Sequence, residues 1–165
     1  TQKLLTNLEN RGFSFHDLLL HVGLGTFKPI QTEKLEEHPM HSEAYSIPPG
    51  TLAAMQQDAQ RPRVAIGTTC VRTIEDALRK LPNKMVKTES FGSEASLFLY
   101  PPENFMGVDA LITNFHLPRS TLLCLVAAFL TPGSIDGIKW LKKIYAEALK
   151  KGYRFYSYGD AMLIL

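Results

Sequence analysis

Leucines at 4, 5 and 8 draw one apolar stripe along residues 1–10, and Gly12 follows as a stop, which predicts a short amphipathic helix. Asp17 to Val22 reads as a buried strand and runs into "HVGLGTF", residues 21–27, where Gly23 and Gly25 flank a single leucine. Beyond that loop, Thr32 to Glu37 predicts a helical turn and Met40 to Ile47 an extended segment. Pro48-Pro49-Gly50 ends the extension and opens a helix over 51–60. Arg63 to Gly67 predicts a short buried strand, and Thr68 to Glu75 opens the next helix. Ser96 to Tyr100 and Asp109 to Thr113 predict two strands separated by a loop rich in Pro, Asn and Gly. Pro118 begins a strongly apolar helix that runs to Leu130, and Ile135 to Lys151 gives another. Arg154 to Tyr158 and Met162 to Leu165 predict closing strands joined at Gly159-Asp160.

Strands that alternate with helices argue for a layered α/β fold: a mainly parallel central sheet flanked by helices, with mixed edge strands. No linker or internal repeat divides the sequence, so residues 1–165 read as a single α/β domain. In open sheets of this kind, ligands gather beyond the carboxyl ends of the strands. Four polar clusters fall at such ends: His21 with Gly23-Leu24-Gly25-Thr26, Gly67-Thr68-Thr69, Asn114-Phe115-His116, and Tyr158-Gly159-Asp160.

Composition narrows the classes of function. The net charge of +2 is too small to argue for nucleic acid by itself, and the late lysines, from Lys139 to Lys151, read as the solvated face of a helix. Two cysteines, Cys70 and Cys124, cannot build a disulfide framework, which favours a reducing cytoplasm. The most apolar run, Leu122 to Leu130, is about half of what a membrane span needs, so no membrane partner is expected. The chain begins at Thr1 inside a helical pattern, without Met, and reads as a piece of something longer.

The clusters then sort by chemistry. Gly23-x-Gly25 is only half of a dinucleotide fingerprint, and Pro29 blocks the helix that should follow. It is either a plain turn or a close backbone approach to a ligand. Gly67-Thr68-Thr69 stands between strand and helix. Either threonine can cap that helix, and its free N–H groups can hold a carboxylate or phosphate with Arg72 one turn further on. His38 and His41 are spaced to opposite faces of an extended segment, and no ligand set completes them, so no metal site is expected. His41-Ser42-Glu43 is instead either a proton-transferring cluster or a solvated strand. Asn114 to Thr121 combines amide, imidazole, guanidinium and hydroxyl groups just before an apolar helix, a costly composition for a mere connector.

Five stretches, "LHVGLGTFKPI", "HPMHSEAYSIP", "RVAIGTTCVRTIEDA", "VDALITNFHLPRSTLLCLVAAF" and "KKGYRFYSYGDAMLI", resemble in this order the S-adenosylmethionine:tRNA ribosyltransferase-isomerase family of queuosine biosynthesis. The resemblance runs from the first helix to Leu165 and corresponds to the C-terminal half of that family. It implies a missing N-terminal half with a small inserted β-rich domain. It also implies S-adenosyl-L-methionine as a ribosyl-donating substrate, and as partner a tRNA carrying 7-aminomethyl-7-deazaguanine at the wobble position. The products would be epoxyqueuosine in tRNA, adenine and methionine. Under this reading His21, His41, Glu43, His116 and Asp160 are the candidates for proton transfer. Gly23 and Gly25 let the backbone approach the nucleoside, Thr26 and Phe27 are further substrate-binding candidates, and Thr68, Thr69 and Arg72 hold the methionine carboxylate. Asn114 and Phe115 bind and stack adenine or the deazaguanine, and Tyr158 is a further substrate-binding candidate. Cys70 stands where the family often has Ser, which argues against a catalytic thiol. Two competitors remain at this point: a noncatalytic tRNA-binding domain, and another nucleotide-binding α/β enzyme.

Overall fold

The computed structural model describes residues 1–23, 28–57, 61–81 and 89–165. Two three-stranded sheets organise it. The first comprises β1 (Leu19–Leu20), β2 (Glu43–Ile47) and β4 (Phe91–Ala95), in the order β1-β2-β4 and antiparallel throughout. The second comprises β3 (Val64–Ile66), β5 (Ala110–Asn114) and β6 (Ala161–Ile164). Here β3 pairs parallel to β5, and β6 pairs antiparallel to it. The expected mainly parallel central sheet is therefore corrected: the fold is mixed α/β, and β3–β5 is the parallel pair among the described strands. A parallel neighbour requires a crossover connection, and α3 (Thr68–Lys80) belongs to the segment that supplies it between β3 and β5.

Helix α1 (Gln2–Glu9) starts at a Thr1 side chain that accepts from the Leu4 N–H, and buries no residue. A 3-10 turn at Leu35–Glu37 occupies the predicted helical turn. Helix α2 (Pro49–Gln56) opens with proline in its first turn, where the missing N–H costs nothing. Its Leu52 and Met55 pack with Tyr45, Ile47, Ala77 and Ala95 in a small core beside the first sheet. The larger core lies under the second sheet, where Leu111 and Ile164 meet Val71 of α3 and the apolar faces of α4 (Thr121–Leu130) and α5 (Gly137–Lys150). Gly137 is obligatory in that packing, because a Cβ there would lie 1.8 Å from the Ala127 carbonyl oxygen.

Several boundaries shift from the sequence expectation. The strand expected at Ser96–Tyr100 is instead β4, five residues earlier. Residues 96–100 leave the sheet and carry Leu97 and Leu99 to the larger core, so their alternation records burial without pairing. The extended segments around 17–22 and 40–47 form ladder strands over the shorter spans of β1 and β2, with one further bond from the His21 N–H to the Ala44 carbonyl. The helix expected from Pro118 begins at Thr121, because Ser120 is the residue that caps it. Arg154–Tyr158 is no strand: a left-handed Tyr156 (φ 69°) turns the chain, and the closing hairpin dissolves into a loop.

Candidate active site

Five chain segments meet around a cavity of about 270 Å³. The end of β1 and the start of β2 are antiparallel neighbours, which brings Val22 and Gly23 beside Glu43. The parallel β3 and β5 deliver Gly67-Thr68-Thr69 and Asn114-Phe115-His116 to the same edge, both from carboxyl ends. Strand β6 runs the other way, with Ala161 opposite Asn114, so the loop that precedes β6 arrives at that edge too and contributes Tyr156 and Ser157. Strand direction, not sequence proximity, assembles the site.

The wall nearest the first sheet is a buried ion pair. Glu43 Oε2 lies 2.6 Å from Arg72 Nη1, and the residues are 3% and 4% exposed. The other carboxylate oxygen of Glu43 accepts the Gly23 N–H at 2.7 Å. Arg72 thus enters the site as half of an ion pair anchored across β2, rather than as a free cation. Helix α3 starts on Gly67 at φ 98° with no side-chain cap, so neither Thr68 nor Thr69 takes the capping role considered for them. Its positive end instead opens toward the cavity, where an anion is favoured.

His116 forms the opposite wall. Its Nε2 lies 2.8 Å from Thr113 Oγ1, and its backbone N–H donates to Tyr145 Oη at 2.8 Å. Burial pushes the imidazole down to about 4, so it is neutral at neutral pH. Cys70 donates to the Ile66 carbonyl, and burial raises its thiol above the ordinary range, which leaves it a packed side chain rather than a thiolate.

The predicted residues divide. Glu43, Thr68, Thr69, Arg72, Asn114, Phe115 and His116 line the cavity, and Gly23 is tied to it through Glu43. His21 and His41 are exposed and are not among the lining residues; the His21 N–H extends the sheet by donating to the Ala44 carbonyl. Asp160 is held by Arg154 at 2.8 Å, which keeps its carboxyl below the usual range, and it also accepts the Arg154 backbone N–H. That makes it the clasp of the 154–160 loop. Tyr158 is 95% exposed and is not among the lining residues. Gly25, Thr26 and Phe27 lie outside the described residues. Sequence reasoning passed over Thr113 and Tyr156. A threonine three residues before a histidine was a legible signal for the first; nothing in the local pattern distinguished Tyr156 from Tyr158.

A family profile described as "Queuosine biosynthesis protein" matches residues 1–164. The chain belongs to that family. It is 46% identical over 167 residues to the S-adenosylmethionine:tRNA ribosyltransferase-isomerase of Thermotoga maritima, with 100% of this chain and 47% of the relative covered. The protein of the same name from Heliobacterium modesticaldum is 47% identical, with 100% and 46% covered. The crystal structure of S-adenosylmethionine tRNA ribosyltransferase from Thermotoga maritima superposes with a TM-score of 0.74 at 40% identity, over 100% of this chain and 50% of that one. The chain therefore spans about half the length of the curated relatives it matches. In this queuosine-family chain the segments described above meet at one cavity edge. Among its described residues no helix is long and apolar enough to cross a membrane.

Proposed function

We propose that this chain carries the donor side of an S-adenosylmethionine:tRNA ribosyltransferase-isomerase, acting in the cytoplasm on tRNA that bears 7-aminomethyl-7-deazaguanine. The observation that carries this reading is the meeting of five separate segments, at Val22, at Glu43, and in 67–72, 113–122 and 156–157, on one cavity in a chain of this family. The reaction transfers and isomerises the ribosyl unit, forms epoxyqueuosine and releases adenine and methionine. The sulfonium itself acidifies the neighbouring C–H and activates methionine as a leaving group, so the protein's task is placement and proton transfer.

Each wall then has a role. The uncapped start of α3, at Thr68 and Thr69, takes the methionine carboxylate. Glu43, already neutralised by Arg72, sets the rim on which the backbone of Gly23 sits. His116 is the proton-transfer residue that lines the cavity, with its Nε2 hydrogen-bonded to Thr113 Oγ1. Asn114 supplies an amide for a base edge. The half that the longer relatives carry in addition completes the surface for tRNA, and the isolated chain is expected not to modify tRNA without it.

The test is adenine release from S-adenosylmethionine by the full-length protein, with tRNA carrying the aminomethyl-deazaguanine. Release that requires both substrates supports the reading. Tight tRNA binding with no donor binding would assign a noncatalytic tRNA-binding domain, and preference for ATP or NAD would assign another nucleotide enzyme. In the active protein, His116→Ala is expected to lower turnover by about 10²–10⁴-fold, while His21→Ala and His41→Ala remain near wild type.

A further inference from the structure

Aromatic rings crowd one side of the cavity, and almost all are occupied. Phe115 stacks on Phe155 with centroids 4.7 Å apart, and Tyr145 and Tyr153 approach it at 5.4 and 5.9 Å. Only 4% of Phe115 remains exposed, so neither face is open to a base. The next ring along the chain from Phe155 is different. Tyr156 lines the cavity, is 48% exposed, and holds a left-handed φ of 69° that a bulky side chain seldom adopts.

That conformation is locked from several sides. The Tyr156 N–H donates to the Phe115 carbonyl at 3.0 Å, and its own carbonyl accepts from Gly159. Asp160 accepts the Arg154 N–H at 2.8 Å and pairs with the same arginine's guanidinium. Gly159 permits the closure, since a Cβ there would fall 2.4 Å from the Arg154 carbonyl oxygen. The fold thus turns Phe155 inward as an anchor and sets Tyr156 on the cavity side. Disfavoured backbone held by surrounding bonds is a mark of functional loops.

We propose that Tyr156 is the aromatic platform on which a purine-type ring stacks in this cavity, positioning the nucleoside for ribosyl transfer. The inference rests on the ribosyl-transfer reading and names the residue that holds the base. The ring is either the adenine of the donor or the deazaguanine of the tRNA, and both present the same flat face.

Tyr156→Gly in the full-length protein is the sharpest test, because glycine suits the left-handed backbone and removes only the ring. The expected result is a weaker Kd for S-adenosylmethionine by calorimetry, or a higher KM for the modified tRNA, by roughly 10- to 100-fold. The melting midpoint should not fall. Loss in the first measurement assigns the ring to adenine; loss in the second assigns it to the tRNA base. Tyr156→Phe should restore affinity to within about 3-fold, since the π face remains. Tyr156→Asn, which also tolerates the backbone, repeats the test if the glycine variant is unstable. A folded glycine or asparagine variant with both affinities unchanged overturns the proposal, as does a phenylalanine variant as weak as glycine. A wild-type protein that neither binds the donor nor releases adenine overturns the ribosyl-transfer reading itself.

Discussion

Arg72, near the start of α3, and Arg79, near its end, each meet a buried glutamate, but the surroundings differ. Glu75 is 0% exposed and saturated by the protein: it accepts the Met106 and Gly107 N–H groups at 2.8–3.0 Å and pairs with Arg79 at 2.6 Å. Arg79 extends to Glu103 and the Asn104 carbonyl, so the whole group fastens the 103–107 connector onto the helix. Gly107 has to lie this close, because a Cβ would stand 2.3 Å from Leu78. Glu43 and Arg72 have the same chemistry at the other end of the helix, yet they face a cavity and anchor a backbone N–H at its rim. One pair closes a loop; the other forms a wall. A buried ion pair is weak grounds for assigning function, and what separates these two is the space beside them.

The strongest way to break the comparison is Glu43→Ala. It removes the carboxylate beside a nearly fully buried guanidinium and is expected to cost about 3–5 kcal/mol in urea unfolding. Adding Arg72→Met should recover much of that loss, since both charges then leave together. Additive costs in the double variant would show that the pair is not coupled. Glu75→Ala comes next, at about 2–4 kcal/mol: it strands the buried Gly107 N–H, but Arg79 is partly exposed and keeps Glu103. It should leave donor binding intact, whereas Glu43→Ala should weaken it. Equal effects on binding would erase the distinction drawn between the two pairs.

A smaller effect sharpens the picture of the cavity's other wall. Burial holds His116 at about 4 in the fold against 6.5 for an ordinary histidine, so the unfolded chain takes up the proton first. This contribution to stability is complete above pH 6.5 and is lost as pH falls from 6.5 toward 4, with a slope of up to about 1.4 kcal/mol per pH unit. His116→Gln should flatten that part of the stability profile; an unchanged slope would mean the histidine is not desolvated. The least of the effects compares two helix starts. Ser120 caps α4 by accepting the Leu123 N–H at 3.1 Å, so Ser120→Ala is expected to lower stability by about 1 kcal/mol in the same unfolding measurement. Thr68→Ala should lose no cap at all, because α3 has none to lose.

Much of this molecule was fixed by local pattern. The leucine stripe of α1, the proline start of α2, the strand–helix junction at Gly67 and the apolar run of α4 are each legible, because helix periodicity, proline and glycine act within a few residues. So were the polar clusters after β3 and β5 and the motifs that carried the family resemblance, whereas Tyr158-Gly159-Asp160 follows no strand. Which of those clusters share a cavity was decided only in three dimensions. An antiparallel β6 turned the 154–160 loop toward the edge that β3 and β5 point to, and pairing direction depends on partners distant in the chain. The same loop exchanged Tyr158 for Tyr156 at the cavity, because one left-handed residue reverses which side chain faces in. Arg72 became half of a wall because a glutamate 29 residues away in sequence reached it across the sheet. Short-range sterics set the elements; long-range pairing and burial chose the site.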